Sequence, residues 1–229
     1  MSVENINACY ISLNHSNFET QIALQDFIKQ IKTLLEDDSV LKLGQNIKYD
    51  FIVLKRLGIE MENMDDTMLM SYVLRTGQRG HGLDELSSDY LSHETIKYSD
   101  VTTVNKKKVP FSEIPVNQAK DYAAEDADIT YRLWEILKVL LIKNSLYDFY
   151  IYIERPVIDV IADMEISGCK IDNVKLTKLS KEVTEKMMSN EDEICKLWEG
   201  EINLRDTKQI GEIRVEKGKL TQGRKEKSR

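Results

Sequence analysis

The chain has 229 residues, 32 Lys+Arg against 39 Asp+Glu and a formal net charge of −7. Hydrophobic residues at 41% and charged residues at 31% describe a globular chain long enough to bury a core, and the acidic balance excludes nucleic-acid binding by bulk charge. A small carboxylate site carrying divalent ions stays compatible with it, because the ions reverse the local field. No apolar run reaches the roughly 20 residues of a membrane span, and Met1-Ser-Val-Glu-Asn5 lacks the character of a signal peptide. Three cysteines (Cys9, Cys169, Cys195) and three histidines (His15, His81, His93) lie too far apart for a disulfide framework or a zinc site, and a reducing cytoplasm is expected.

Ala8 to Leu13 alternates and predicts a strand. Leu24, Phe27, Ile28, Ile31, Leu34 and Leu35 recur at helical spacing. Val40–Leu43 predicts a short strand ended by Gly44, and a helix follows from Asn46, a good N-cap, to Leu57 before Gly58. Ile59–Met64 reads as extended, and Asp66 opens a helix carrying Met68, Leu69, Tyr72, Val73 and Leu74. Such alternation predicts an α/β layer. Further helices are predicted over Leu83–Leu91, Val116–Lys143, Phe149–Ser167 and Val174–Trp198. The run Lys106-Lys-Lys108 reads as a solvated loop also able to touch phosphates. From Arg205 onward nine basic residues face four acids, without apolar periodicity after Ile213, and this stretch is expected to be disordered. No internal repeat is present.

Two places suit chemistry. In Gly44-Gln-Asn-Ile-Lys-Tyr-Asp50 a strand gives way to a helix, and Asp50 stands one turn beyond Asn46 on the same face. In Asp121-Tyr-Ala-Ala-Glu-Asp-Ala-Asp128, Tyr122 and Asp126 form an i, i+4 pair, with small Ala123, Ala124 and Ala127 permitting close helix approach. A carboxylate can hold a hard divalent ion while a phenol one turn away orients water. Taken singly, Asp50 and Asp126 read equally as helix-surface acids and Tyr122 as a packing residue.

Together, Gly44–Asp50, Asp66-Thr-Met-Leu69 and Tyr122–Asp128 resemble, in order and separation, the second and third motifs of the 3′–5′ exonuclease domain of bacterial family-A DNA polymerases. The likeness continues through Ile153-Glu-Arg-Pro-Val157 and Met164–Asp172, similar to the entry into the polymerase domain, and on through Thr207–Ile213. It implies a ribonuclease H-like (DnaQ-type) α/β exonuclease fold lacking its first strands, followed by a helical extension. Its implied divisions are 1–147 (exonuclease), 148–213 (start of the polymerase domain) and 214–229 (basic tail). It further implies a two-metal site for Mg²⁺ or Mn²⁺ that removes 3′-terminal nucleotides from single-stranded DNA in replication and repair. Asp126 would hold a metal directly, Asp50 the second through water, and Tyr122 would position the nucleophile. Gln45 and Asn46 would contact the terminal nucleotides, and Tyr98 would stack on a base or simply pack.

One departure stands out: the family's opening Asp-x-Glu has no counterpart before Ala8, and Asp163-Met-Glu165, within a helix, cannot replace it. The expectation is therefore a chain with little or no nuclease activity alone, no polymerase activity, and a sheet with bare edges. Three readings follow: a fragment of such a polymerase, which is favoured; half of a split enzyme completed by a separate chain supplying the first strands; or a non-catalytic module binding single-stranded DNA or a protein.

Overall fold

The computed structural model describes residues 2–4, 7–16, 21–78, 80–104, 106–198 and 211, which group into two compact units, Met1–Gly168 and Cys169–Arg229. Apart from residue 211, the basic stretch from Arg205 lies outside the described residues.

The first unit opens with β1 (Ser2–Glu4) and β2 (Asn7–Ala8), paired antiparallel. The expected strand over Ala8–Leu13 is corrected: pairing stops at Ala8. Beyond it, polar side chains bind locally instead of leaving the backbone to a ladder. Gln21 Oε1 accepts from Ser12 Oγ (2.9 Å) and His15 N (2.7 Å), Tyr10 Oη meets His15 Nε2 at 2.6 Å, and Ser16 N donates to Ser112 O at 2.8 Å.

Next come α1 (Leu24–Leu35), β3 (Lys42–Gly44), α2 (Ile47–Arg56), β4 (Met64–Asp66) and α3 (Thr67–Leu74). β3 and β4 pair in parallel, Lys42 opposite Met64 and Gly44 opposite Asp66, with α2 as the crossover between them. Gly44 is required for space: a Cβ there would lie 2.7 Å from Ile47 Cγ1 and 2.8 Å from its Cβ. Gly58, at φ 80°, turns the chain out of α2.

The unit continues with α4 (Leu83–Leu91), α5 (Tyr98–Thr102), the antiparallel hairpin β5 (Thr103–Val104) and β6 (Lys107–Lys108), and the long α6 (Val116–Lys143). It ends with α7 (Tyr147–Phe149), a π-helical turn at Tyr150–Glu154, and α8 (Val157–Ser167). Helix therefore predominates over a small parallel sheet.

Ile129, Leu133, Leu137 and Leu141 recur every four residues on α6 and bury one stripe against Met70 and Val73 of α3, Leu86 of α4, and Tyr150. Ile47 and Phe51 of α2 pack with Met61, Met64 and, from α8, Ile158 and Ala162. Val101, Ile114 and Ala119 form a third cluster edged by Tyr10, Phe111 and Tyr122. Asp163 and Glu165, the Asp-x-Glu of α8, pair with Lys55 (2.8 Å) and Lys48 of α2. In the second unit, α9 (Asn173–Trp198) starts where Asp172 Oδ1 accepts from Val174 N and Lys175 N.

Candidate active site

The β3–α2 junction, the start of α5 and the second and third turns of α6 carry the expected residues. Asn46 occupies the N-cap position of α2 but in the left-handed region (φ 58°), and its side chain makes no capping bond. The expected Asn46 cap is thus corrected: Asp66 supplies it. The Asp66 carboxylate accepts from Asn46 N (3.0 Å) and Ile47 N (3.1 Å) and also from Met68 N (2.8 Å), so one acid starts both α2 and α3. Burial pushes the Asp66 carboxyl up, while its backbone donors pull it down.

Gln45 is held from both ends of its amide. Its Oε1 accepts from Thr67 Oγ1 (2.6 Å) and its Nε2 donates to His81 O (2.8 Å). Asp50 stands at the surface of α2; desolvation by its surroundings, then the charge of Asp66, push its carboxyl up.

On α6 the Tyr122 phenol and the Asp126 carboxylate, one turn apart, act on each other electrostatically. Desolvation, the Asp126 carboxylate and other nearby acids push the phenol up. Asp126 is pushed up to about 6, chiefly by desolvation, with Tyr122 opposing and Glu125 and Asp84 adding to the rise. Glu125 is committed elsewhere, to His93 Nε2 (2.8 Å) and Ile96 N (2.7 Å). Tyr98 lies edge-on to Tyr122 at 5.9 Å between ring centroids and stacks on Phe111 at 6.1 Å, with 54% of its surface still exposed. The structure thus brings Tyr98, Tyr122 and Asp126 into one cluster, and Gln45, Asn46 and Asp50 into another centred on Asp66 and Thr67.

Carboxylate oxygens are the donors Mg²⁺ and Mn²⁺ take, about six in all. Among the described residues no group of three or more His, Cys, Asp or Glu side chains is placed to hold a metal ion. Asp50 and Asp126 by themselves supply fewer oxygens than such an ion takes, so they do not make a complete site.

Asp66, Thr67, Asp84 and Phe111 escaped the sequence reading as parts of these clusters. Asp66-Thr67 had a local signal, lying within a matched motif. Asp84 and Phe111 had none, since contacts with Tyr122 and Asp126 cross 11 to 42 residues of chain.

A second buried polar group underlies the sheet. Asp65, 2% exposed, accepts from Trp134 Nε1 (2.8 Å), Tyr150 Oη (3.2 Å) and Arg155 (3.4 Å). Tyr150 Oη in turn accepts from Asp66 N at 2.8 Å.

The family described as 3′–5′ exonuclease matches residues 1–142. DNA polymerase I of Rhizobium leguminosarum is 42% identical over 97% of this chain, and that of Pseudomonas aeruginosa 36% over 94%. The chain spans only 23% and 24% of those relatives. Among solved structures, the POL domain of Pol1 from M. smegmatis, in complex with DNA primer-template and dNTP, has a TM-score of 0.66 at 22% identity, covering 91% of this chain and 33% of that one. The chain is a segment of the bacterial DNA polymerase I type and belongs to the 3′–5′ exonuclease family.

Proposed function

We propose that this chain receives the 3′ end of single-stranded DNA as the proofreading segment of a DNA polymerase I, and that alone it hydrolyses that end weakly or not at all. The observation that carries the reading is the Tyr122–Asp126 pair on α6, within a family match that spans most of the chain. In this reading Asp126 and Asp50 face the scissile phosphate, Tyr122 orients the attacking water through its phenol, and Tyr98 stacks on a base. Gln45 and Asn46 face the terminal nucleotides. The DNA in the related M. smegmatis structure supports a nucleic-acid partner. The fixed amide of Gln45 favours a rigid wall over an adaptable contact, since both its ends are already bonded.

Weak turnover follows from the donor set: two carboxylates with separate neighbours supply fewer oxygens than a hard ion takes. The test is incubation of a 5′-labelled single strand with Mg²⁺ and then Mn²⁺, using Asp126→Ala as control, beside a binding titration. Binding by both proteins with little shortening is expected. Rapid shortening that Asp126→Ala abolishes would overturn the weak-alone reading, and absence of binding would overturn the substrate.

A further inference from the structure

The hairpin beyond Tyr98 has no role in that reading. Lys106 sits at its turn with φ 63°, and Lys107 and Lys108 form β6. All three are exposed, and among the described residues none has a carboxylate partner within 4.0 Å. Among the described residues, four lysines elsewhere on this unit, Lys32, Lys48, Lys55 and Lys120, are paired, while others such as Lys29 and Lys143 are not. Lys97, also exposed, is the N-cap residue of α5. Residues 97–108 therefore carry four lysines against one acid, Asp100, in a chain of net charge −7.

The position of this charge matters more than its amount. The hairpin follows α5 without a linker, Thr103 pairs with Lys108, and Val109 N donates to Thr102 O at 2.9 Å. Helical and strand rises carry Lys108 no farther than about 15 Å from Tyr98. Tyr98 itself is anchored beside Tyr122. An aromatic face with cations along one side is how single strands are held without sequence preference: bases stack and ammonium groups follow the phosphates.

We propose that Lys106, Lys107 and Lys108 bind the backbone phosphates of single-stranded DNA upstream of the 3′ nucleotide, forming a tracking subsite beside the Tyr98 platform. The subsite rests on the proposed substrate and extends it from the end of the strand to its body. The ammonium groups make charge contacts only, so binding through them is independent of sequence and steeply dependent on salt.

The test compares the full chain with the Lys106→Gln/Lys107→Gln/Lys108→Gln variant, which keeps the exposed hairpin polar. Both are titrated with a dinucleotide and with a single strand of about 12 nucleotides. Three lost phosphate contacts flatten the slope of log K against log salt by about 2, so the affinity change between about 50 and 200 mM salt shrinks roughly twentyfold. That flattening is expected on the long strand and not on the dinucleotide. An unchanged slope on the long strand, while the unaltered chain binds, overturns the subsite and spares the proposed substrate. An equal loss on the dinucleotide overturns its upstream placement. No binding by the unaltered chain overturns both. Far-UV circular dichroism of the variant confirms that any loss is not unfolding.

Discussion

Replacing Tyr150 with Phe removes one oxygen from the centre of the first unit. The ring stays in the cluster with Leu133, Leu137 and Leu141, so packing is retained. Two hydrogen bonds go: Asp66 N to the phenol at 2.8 Å, and the phenol to Asp65 at 3.2 Å. The Asp66 N–H is left buried without its acceptor, a cost of about 1–3 kcal/mol. Asp65 keeps Trp134 and Arg155 but loses one of three donors to its buried carboxyl, worth about 1–2 kcal/mol at this longer distance. Because the two share one oxygen, a total of about 2–4 kcal/mol is expected. With a slope of about 2 kcal/mol/M, the urea midpoint should fall by about 1–2 M at unchanged slope. Tyr147→Phe is the comparison: its ring, 6.0 Å from the Lys138 ammonium, is retained, and a change under about 0.5 kcal/mol is expected. Equal midpoints for Tyr150→Phe and the unaltered chain would refute the network as a source of stability.

Asp126→Asn tests the raised carboxyl. Its folded-state value near 6, against 3.8 ordinarily, means the charged form is disfavoured by folding, so its contribution to stability is lost as pH rises from about 4 through 6. The full difference corresponds to about 3 kcal/mol, and partial exposure reduces it to about 1–2 kcal/mol. The variant should melt higher than the unaltered chain at pH 7.5 and equally near pH 4 in metal-free buffer; a constant offset would contradict this. Asp66→Ala removes the acceptor of three backbone N–H groups and should cost about 3 kcal/mol or more, read as loss of helical signal and a lower melting temperature. Gly44→Ala drives a methyl into Ile47 and should cost about 1–3 kcal/mol, read as a lower urea midpoint; an unchanged midpoint would exclude the close approach as the reason for glycine.

What the sequence revealed was mostly what is local. Apolar spacing marked α1, and α4 and α6 were also placed at about their observed bounds; α6 buries one stripe of a helical period. The closeness of Tyr122 and Asp126 was equally readable, being an i, i+4 relation. Asn46 misled because a capping residue type in the left-handed region leaves its side chain idle, and the working cap comes from Asp66, 20 residues on. Asp65 lay in a short acidic-apolar run with no sign that its partners stand 69 to 90 residues away. α5 and the lysine hairpin were missed because elements of five and two residues are too short to show a period. Site geometry behaved likewise: motif order pointed to both clusters, but only the fold shows that Asp50 answers to Asp66 and Asp126 to Asp84.

The Tyr150 network also sets where this segment can be cut and shuffled. The exonuclease-family match stops at residue 142, yet Tyr150, Ile158 and Ala162 complete cores whose other walls lie before that point. A cassette excised at the family limit would leave the buried Asp65 without Tyr150 and Arg155 and leave α2 bare along one flank. Gly168, at φ 64° after the last packed helix of this unit, is the natural seam. Recombination between polymerases of this kind should therefore tolerate crossovers just after that glycine far better than crossovers at the edge of the recognisable exonuclease sequence.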